Sequence, residues 1–159
     1  MSFFKKKILK EEFVQLIYEY SVNQFNLLNN EFKNEFDYKE TLLYILTIIT
    51  IGMLIKRYYY FHNIDLEFDI TDELDKIIYD SIQDKDIQIV HIQYYVCLID
   101  EEWEILKNDN AQMVYDIANY FINEITEEQN KDNLPRQYMA NVITNWHFEL
   151  KQFLKNLKL

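Results

Sequence analysis

Three histidines, one cysteine and three serines are the side chains of this sequence best suited to attack, ligate or shuttle a proton near neutral pH. Their spacing gives them no common task. His62, His91 and His147 lie in different segments, and none has a glutamate three residues before it, so the Glu-x-x-His pairs of di-iron bundles are missing. There is no His-Glu-x-x-His and no cysteine pair for zinc. Cys97 is alone, which rules out an intramolecular disulfide, and its apolar neighbours would raise a thiol's pKa. Ser2, Ser21 and Ser81 sit in no Gly-x-Ser-x-Gly elbow. With Gly52 the sole glycine, a Gly-rich phosphate loop cannot be built, and P-loop and Rossmann chemistry are excluded. Asp65, Glu67 and Asp69 open like a calcium-binding EF-hand loop. That loop needs glycine at its sixth position and a bidentate glutamate at its twelfth, where this chain has Ile70 and Lys76. Carboxylate pairs such as Glu101 with Glu104 could do acid–base work, but acidic helices supply such pairs everywhere. No catalytic residue, metal or cofactor is expected, and the chain reads as a non-enzyme.

Charge is more informative than motif. The formal net charge is −11, which argues against nucleic acid, because phosphate contacts require basic patches. Between Tyr58 and Asn130, eighteen Asp and Glu face only Lys76, Lys85 and Lys107, a formal −15. The remainder holds thirteen basic and nine acidic residues, or +4. An acidic middle therefore stands between mildly basic ends.

The element that must position these charges is Thr41 to Ile55, TLLYILTIITIGMLI, uncharged throughout and bounded by Glu40 and Lys56-Arg57. Fifteen residues at about 1.5 Å each make a rod of roughly 22 Å, short of a bilayer core of about 30 Å. A helix apolar on every side is the middle element of a bundle. Gly52 costs a helix interior about 1 kcal/mol relative to alanine, which suggests close approach of a neighbouring helix. One glycine and one proline in 159 residues argue for long helices and polar loops.

The spacing predicts an all-α, single-domain bundle (1–159) of about six helices around this central one. The first runs from about Leu9 to Phe36, with Val14, Tyr18, Phe25, Leu28, Phe32 and Phe36 inward and Ser21 breaking the stripe. Lys5, Lys6 and Lys7 ahead of it read as solvated, and with no apolar run after them no signal peptide is expected. The second covers about Tyr38 to Phe61. Ile64, Leu66, Phe68 and Ile70 alternate with acids, the pattern of a short extended segment over about 64–70, laid across the bundle or open to strand addition. Thr71 is the expected N-cap of a third helix running to about Ile82, with Leu74, Ile77, Ile78 and Ile82 inward. Ile89, Ile92, Val96, Ile99, Trp103 and Leu106 predict a fourth helix over about 87–107. Asp100, Glu101, Glu102 and Glu104 crowd its C-terminal half, where the helix dipole disfavours negative charge. A fifth helix runs to about Glu127, with Met113, Val114, Ile117, Phe121 and Ile125 inward. Pro135 opens the last, whose stripe is Met139, Val142, Ile143, Trp146, Leu150, Phe153 and Leu157.

The expected function is a protein-binding module that docks a basic protein partner through an acidic helical face. The expected contact residues are Asp72, Asp75, Asp80, Asp84, Asp86, Tyr95, Asp100, Glu101, Glu102 and Glu104. Acidic surfaces steer basic partners into fast encounter, and tyrosine is enriched at interface cores. Small acidic helical proteins that neutralise a basic toxin have this size, charge and helicity, so an immunity or antitoxin-type inhibitor is the finer expectation, in the cytoplasm. The alternative is a self-associating structural bundle, a homodimer formed through surplus apolar and aromatic surface. Membrane association through 41–55 ranks below both.

Overall fold

The computed structural model describes residues 6–62, 64–81, 110–126 and 133–158. Among these, five helices make an all-helical bundle: α1 (Lys10–Phe32), α2 (Glu40–Phe61), α3 (Ile70–Ser81), α4 (Asn110–Ile125) and α5 (Asn133–Lys155). The helix expected over about 87–107 lies outside the described residues, as do Asp84, Asp86, Tyr95, Asp100, Glu101, Glu102 and Glu104.

α2 is the centre, as its composition demands. From Leu42 to Ile55 every residue but Tyr44 is buried, and α2 packs against α1, α3, α4 and α5. By length and composition it could cross a membrane, yet 78% of its apolar window is buried inside the bundle. Thr47 and Thr50 sit in this core by donating their hydroxyls to the carbonyls of Leu43 and Leu46, one turn back. Gly52 does mark a close approach. A Cβ there would meet Leu74 Cδ1 at 2.8 Å and Thr71 Cγ2 at 3.5 Å, both from α3.

α1 ends sooner than its apolar stripe. The helix stops at Phe32, and a turn carries the chain on, with the amides of Glu35 and Phe36 donating back to the Phe32 carbonyl. Its innermost residues are Phe13, Val14, Ile17, Leu28 and Phe32, with Tyr18 and Phe25 at the edge. Ser21 is fully buried and donates to the Ile17 carbonyl at 2.7 Å, so the break in the stripe is filled by a satisfied hydroxyl. α1 and α5 are tied by side chains: Trp146 Nε1 donates to Gln24 Oε1 at 2.9 Å, and the Tyr20 hydroxyl donates to Glu149 Oε2 at 2.5 Å. On α4, Val114, Ile117, Phe121 and Ile125 point inward; on α5, Met139, Ile143, Trp146, Leu150 and Leu154 do.

Residues 64–69 form no strand. They cross the bundle irregularly, with Leu66 and Phe68 half-buried against the core and Asp65 and Glu67 outside. Among the described residues the paired strands are β1 (Lys6–Lys7) and β2 (Leu157–Lys158), two residues each and parallel, with Lys6 opposite Leu157.

Candidate docking surface

α3, with four acids and one lysine in twelve residues, is the most densely acidic of the described helices. Its start is fixed by Asp69, which corrects the expectation that Thr71 is the cap. The Asp69 carboxylate accepts the Thr71 backbone N–H at 2.9 Å and the Thr71 hydroxyl as well, an N-cap bond to the second helical residue. Aspartate outcompetes threonine here because it accepts both donors at once, whereas the Thr71 hydroxyl is used as a donor. Lys56 Nζ pairs with the other Asp69 oxygen at 3.1 Å. Partial burial pushes this carboxyl up, but Thr71 and Lys56 together outweigh it and hold its pKa below the ordinary value.

One turn on, Glu73 is gripped by Lys10 and Lys76, each at 3.1 Å. Their hydrogen bonds lower its pKa. Lys10 also lies 5.3 Å from the centre of the Phe68 ring. Thus, among the described residues, Lys10, Lys56 and Lys76 around α3 are engaged by Asp69 and Glu73.

The other three acids of α3 form its outer surface. Leu74 and Ile78 face inward, so Asp72 and Asp80 are left toward solvent with Tyr79 between them, and Asp75 lies half-buried at the edge. None of the three makes an ion pair among the described residues. Asp75 is half-buried, and burial followed by repulsion from Asp72 raises its carboxyl pKa. The pair is therefore electrostatically under-compensated, and a cation brought beside it would be attracted. Of the ten expected contact residues, these three are the ones described, all on α3 and spread over about 140° of its circumference.

The two described histidines, His62 and His147, keep separate partners. The His62 ring stacks on Tyr58 with centroids 4.1 Å apart, and its Nδ1 lies 2.8 Å from the Tyr58 carbonyl oxygen. His147 is half-buried on α5, and burial, then Arg57 and Lys151, lower its pKa. His91 and Cys97 are outside the described residues. No group of three His, Cys, Asp or Glu among the described residues is placed to hold a metal ion.

Two cavities bear on binding. One, of about 750 Å³, runs between β1, the 64–68 crossing and the end of the chain, with Leu9, Tyr58, Leu66, Phe68, Leu154 and Leu157 among its apolar walls. The other, of about 290 Å³, lies between the end of α1 and the start of α5. Its Phe32 and Phe36 are core positions by periodicity, whereas nothing in the sequence assigns a role to Glu31, Glu35 or Tyr138. No protein-family model matches the chain, and no curated protein or solved structure matches it significantly.

Proposed function

We propose that this chain is a non-catalytic, cytoplasmic binding module that docks a basic protein partner through the outer face of α3. The observation that carries this reading is the imbalance on α3. Asp69 and Glu73 engage Lys10, Lys56 and Lys76, while exposed Asp72 and Asp80 and half-buried Asp75 make no ion pair among the described residues. Uncompensated like charges on a rigid helix speed encounter with a basic surface and reject acidic ones. An immunity or antitoxin-type inhibitor of a basic toxin is the specific form of this reading, because the chain's charge and helicity suit masking a cationic active surface.

The test is affinity capture from the source cell at low and high salt, run in parallel with an Asp72→Asn/Asp75→Asn/Asp80→Asn variant. The expected result is a stoichiometric basic protein that is lost at high salt and lost with the variant. Equal capture by the variant would remove α3 from the argument. A second reading, the self-associating bundle, is favoured by Phe148, which is 64% exposed on α5. Recovery of the chain only with itself, and a dimer in sedimentation, would favour that reading instead.

A further inference from the structure

The cavity at the junction of α1 and α5 is walled by aromatic rings and rimmed by acids. Glu31 and Glu35 are one turn apart, and Phe32 and Phe36 repeat that spacing one residue on. The end of α1 and the turn after it therefore present a carboxylate row beside a ring row. Phe32 is the buried floor, its ring 4.9 Å from Phe36 and 5.7 Å from Tyr138, the latter edge-on. Tyr138, 38% exposed, and the partly buried Phe36 leave aromatic surface open to an incoming group. The volume, about 290 Å³, is at the small end of ligand sites and suits one side chain rather than a cofactor.

The electrostatics of this corner ask for a cation. It lies at the negative end of the α1 dipole, where acids are unfavourable and a basic residue would normally stand. The last turn of α1 has none, and the one basic residue at its end is the exposed C-cap Lys33. Lys33 and Lys39 are exposed close by in sequence, yet neither pairs with Glu31 or Glu35, and no cation lies over Phe32, Phe36 or Tyr138 among the described residues. Burial, then the charge of Glu31, pushes the Tyr138 phenol up, so the field of that carboxylate reaches the pocket. Across the cavity the start of α5 brings its positive end, lessened by the N–H that Pro135 lacks, against the full charges of two carboxylates.

We propose that the pocket formed by Glu31, Glu35, Phe32, Phe36 and Tyr138 binds the guanidinium of an arginine side chain presented by a protein partner. A guanidinium stacks on aromatic faces while its forked N–H groups donate to carboxylates. A quaternary ammonium has no N–H for the two glutamates, and a lysine ammonium cannot stack its charge as a plane. The pocket shares no residue with the α3 face, so it would be a second, independent anchoring point.

The test is titration of the full-length, isotope-labelled chain with the tripeptide Gly-Arg-Gly, followed by NMR. The controls are Gly-citrulline-Gly, Gly-Lys-Gly and tetramethylammonium. Expected are saturable shifts centred on Glu31, Glu35, Phe36 and Tyr138, absent with citrulline. The exposed-site variant Glu31→Gln/Glu35→Gln should weaken binding by about tenfold or more, with Asp72→Asn/Asp75→Asn/Asp80→Asn leaving it unchanged. Absence of saturable shifts, equal binding of the citrulline peptide, or equal binding by the Glu31→Gln/Glu35→Gln variant would overturn the proposal. Lysine or tetramethylammonium binding as tightly as arginine would overturn the assignment to a guanidinium.

Discussion

Gly52 allows a quantitative test of how α2 and α3 fit. Replacing it with alanine in an isolated helix should stabilise by about 1 kcal/mol, because glycine is that much the poorer helix former. In this bundle the new methyl would lie 2.8 Å from Leu74 Cδ1, and Leu74 is fully buried. Restoring ordinary contact needs a displacement of about 0.6 Å in a core packed to crystal-like density. Overpacking of this kind costs about 1–3 kcal/mol, so Gly52→Ala should come out neutral to about 2 kcal/mol destabilising. The informative experiment is the double-mutant cycle with Leu74→Ala. That change alone should cost about 2–5 kcal/mol, but it removes the atom that clashes, so Gly52→Ala made on top of it should recover its intrinsic gain of about 1 kcal/mol. A coupling of about 1–3 kcal/mol is expected, measured by urea denaturation followed by circular dichroism. Gly52→Ala stabilising the parent chain by its full helix-propensity gain, with no coupling to Leu74, would refute the close approach.

Two further predictions concern pH, and their signs are opposite in origin. Asp69 has a lowered pKa in the folded chain, so its stabilisation is fully present above the ordinary carboxylate pKa. It is lost as pH falls through the depressed value; Asp69→Ala should cost about 1 kcal/mol at pH 7 as a lost cap and flatten the acid limb of a stability–pH curve. His147 also has a lowered pKa, but here the neutral form is the one favoured by folding. Stability should therefore fall as pH drops below the ordinary histidine pKa of about 6.5, and His147→Gln should reduce that slope in thermal melts between pH 7 and 5.

The centre of this fold was legible because a run of fifteen uncharged residues has few other places to go. Gly52 was legible for a related reason: an unfavourable residue in the middle of such a helix calls for a contact that needs it. The ends of elements were harder. Thr71 is a good cap in isolation, but Asp69 two residues earlier offers a charged acceptor and gains Lys56 across space. The α1 stripe continues to Phe36 in the sequence, yet the helix stops at Phe32, because Phe36 can pack from a turn as well as from a helix. Periodicity placed Asp72, Asp75 and Asp80 outward on α3. It could not place Lys10 beside Glu73, 63 residues on, although that ion pair decides which acids are left uncompensated. Lys56-Arg57 read as a basic stop, whereas the two part company: Lys56 turns out to Asp69, and Arg57 is buried with its guanidinium 4.8 Å from the Phe61 ring centre. The α1–α5 pocket was invisible because Phe32 and Tyr138 are about a hundred residues apart, and nothing local to either announces the other.

The burial of α2 also has a consequence for the order of synthesis. Its core contacts extend to α4 and α5, and its apolar surface stays incomplete until Leu154 has been made. At ribosomal speeds of about 5–20 residues per second, the roughly one hundred residues between Ile55 and Leu154 take about 5–20 s. During that interval the nascent chain carries an apolar segment whose partners do not yet exist, much like a half-finished membrane insert. Completion of the core therefore waits on the last helix, a delay that the finished fold hides.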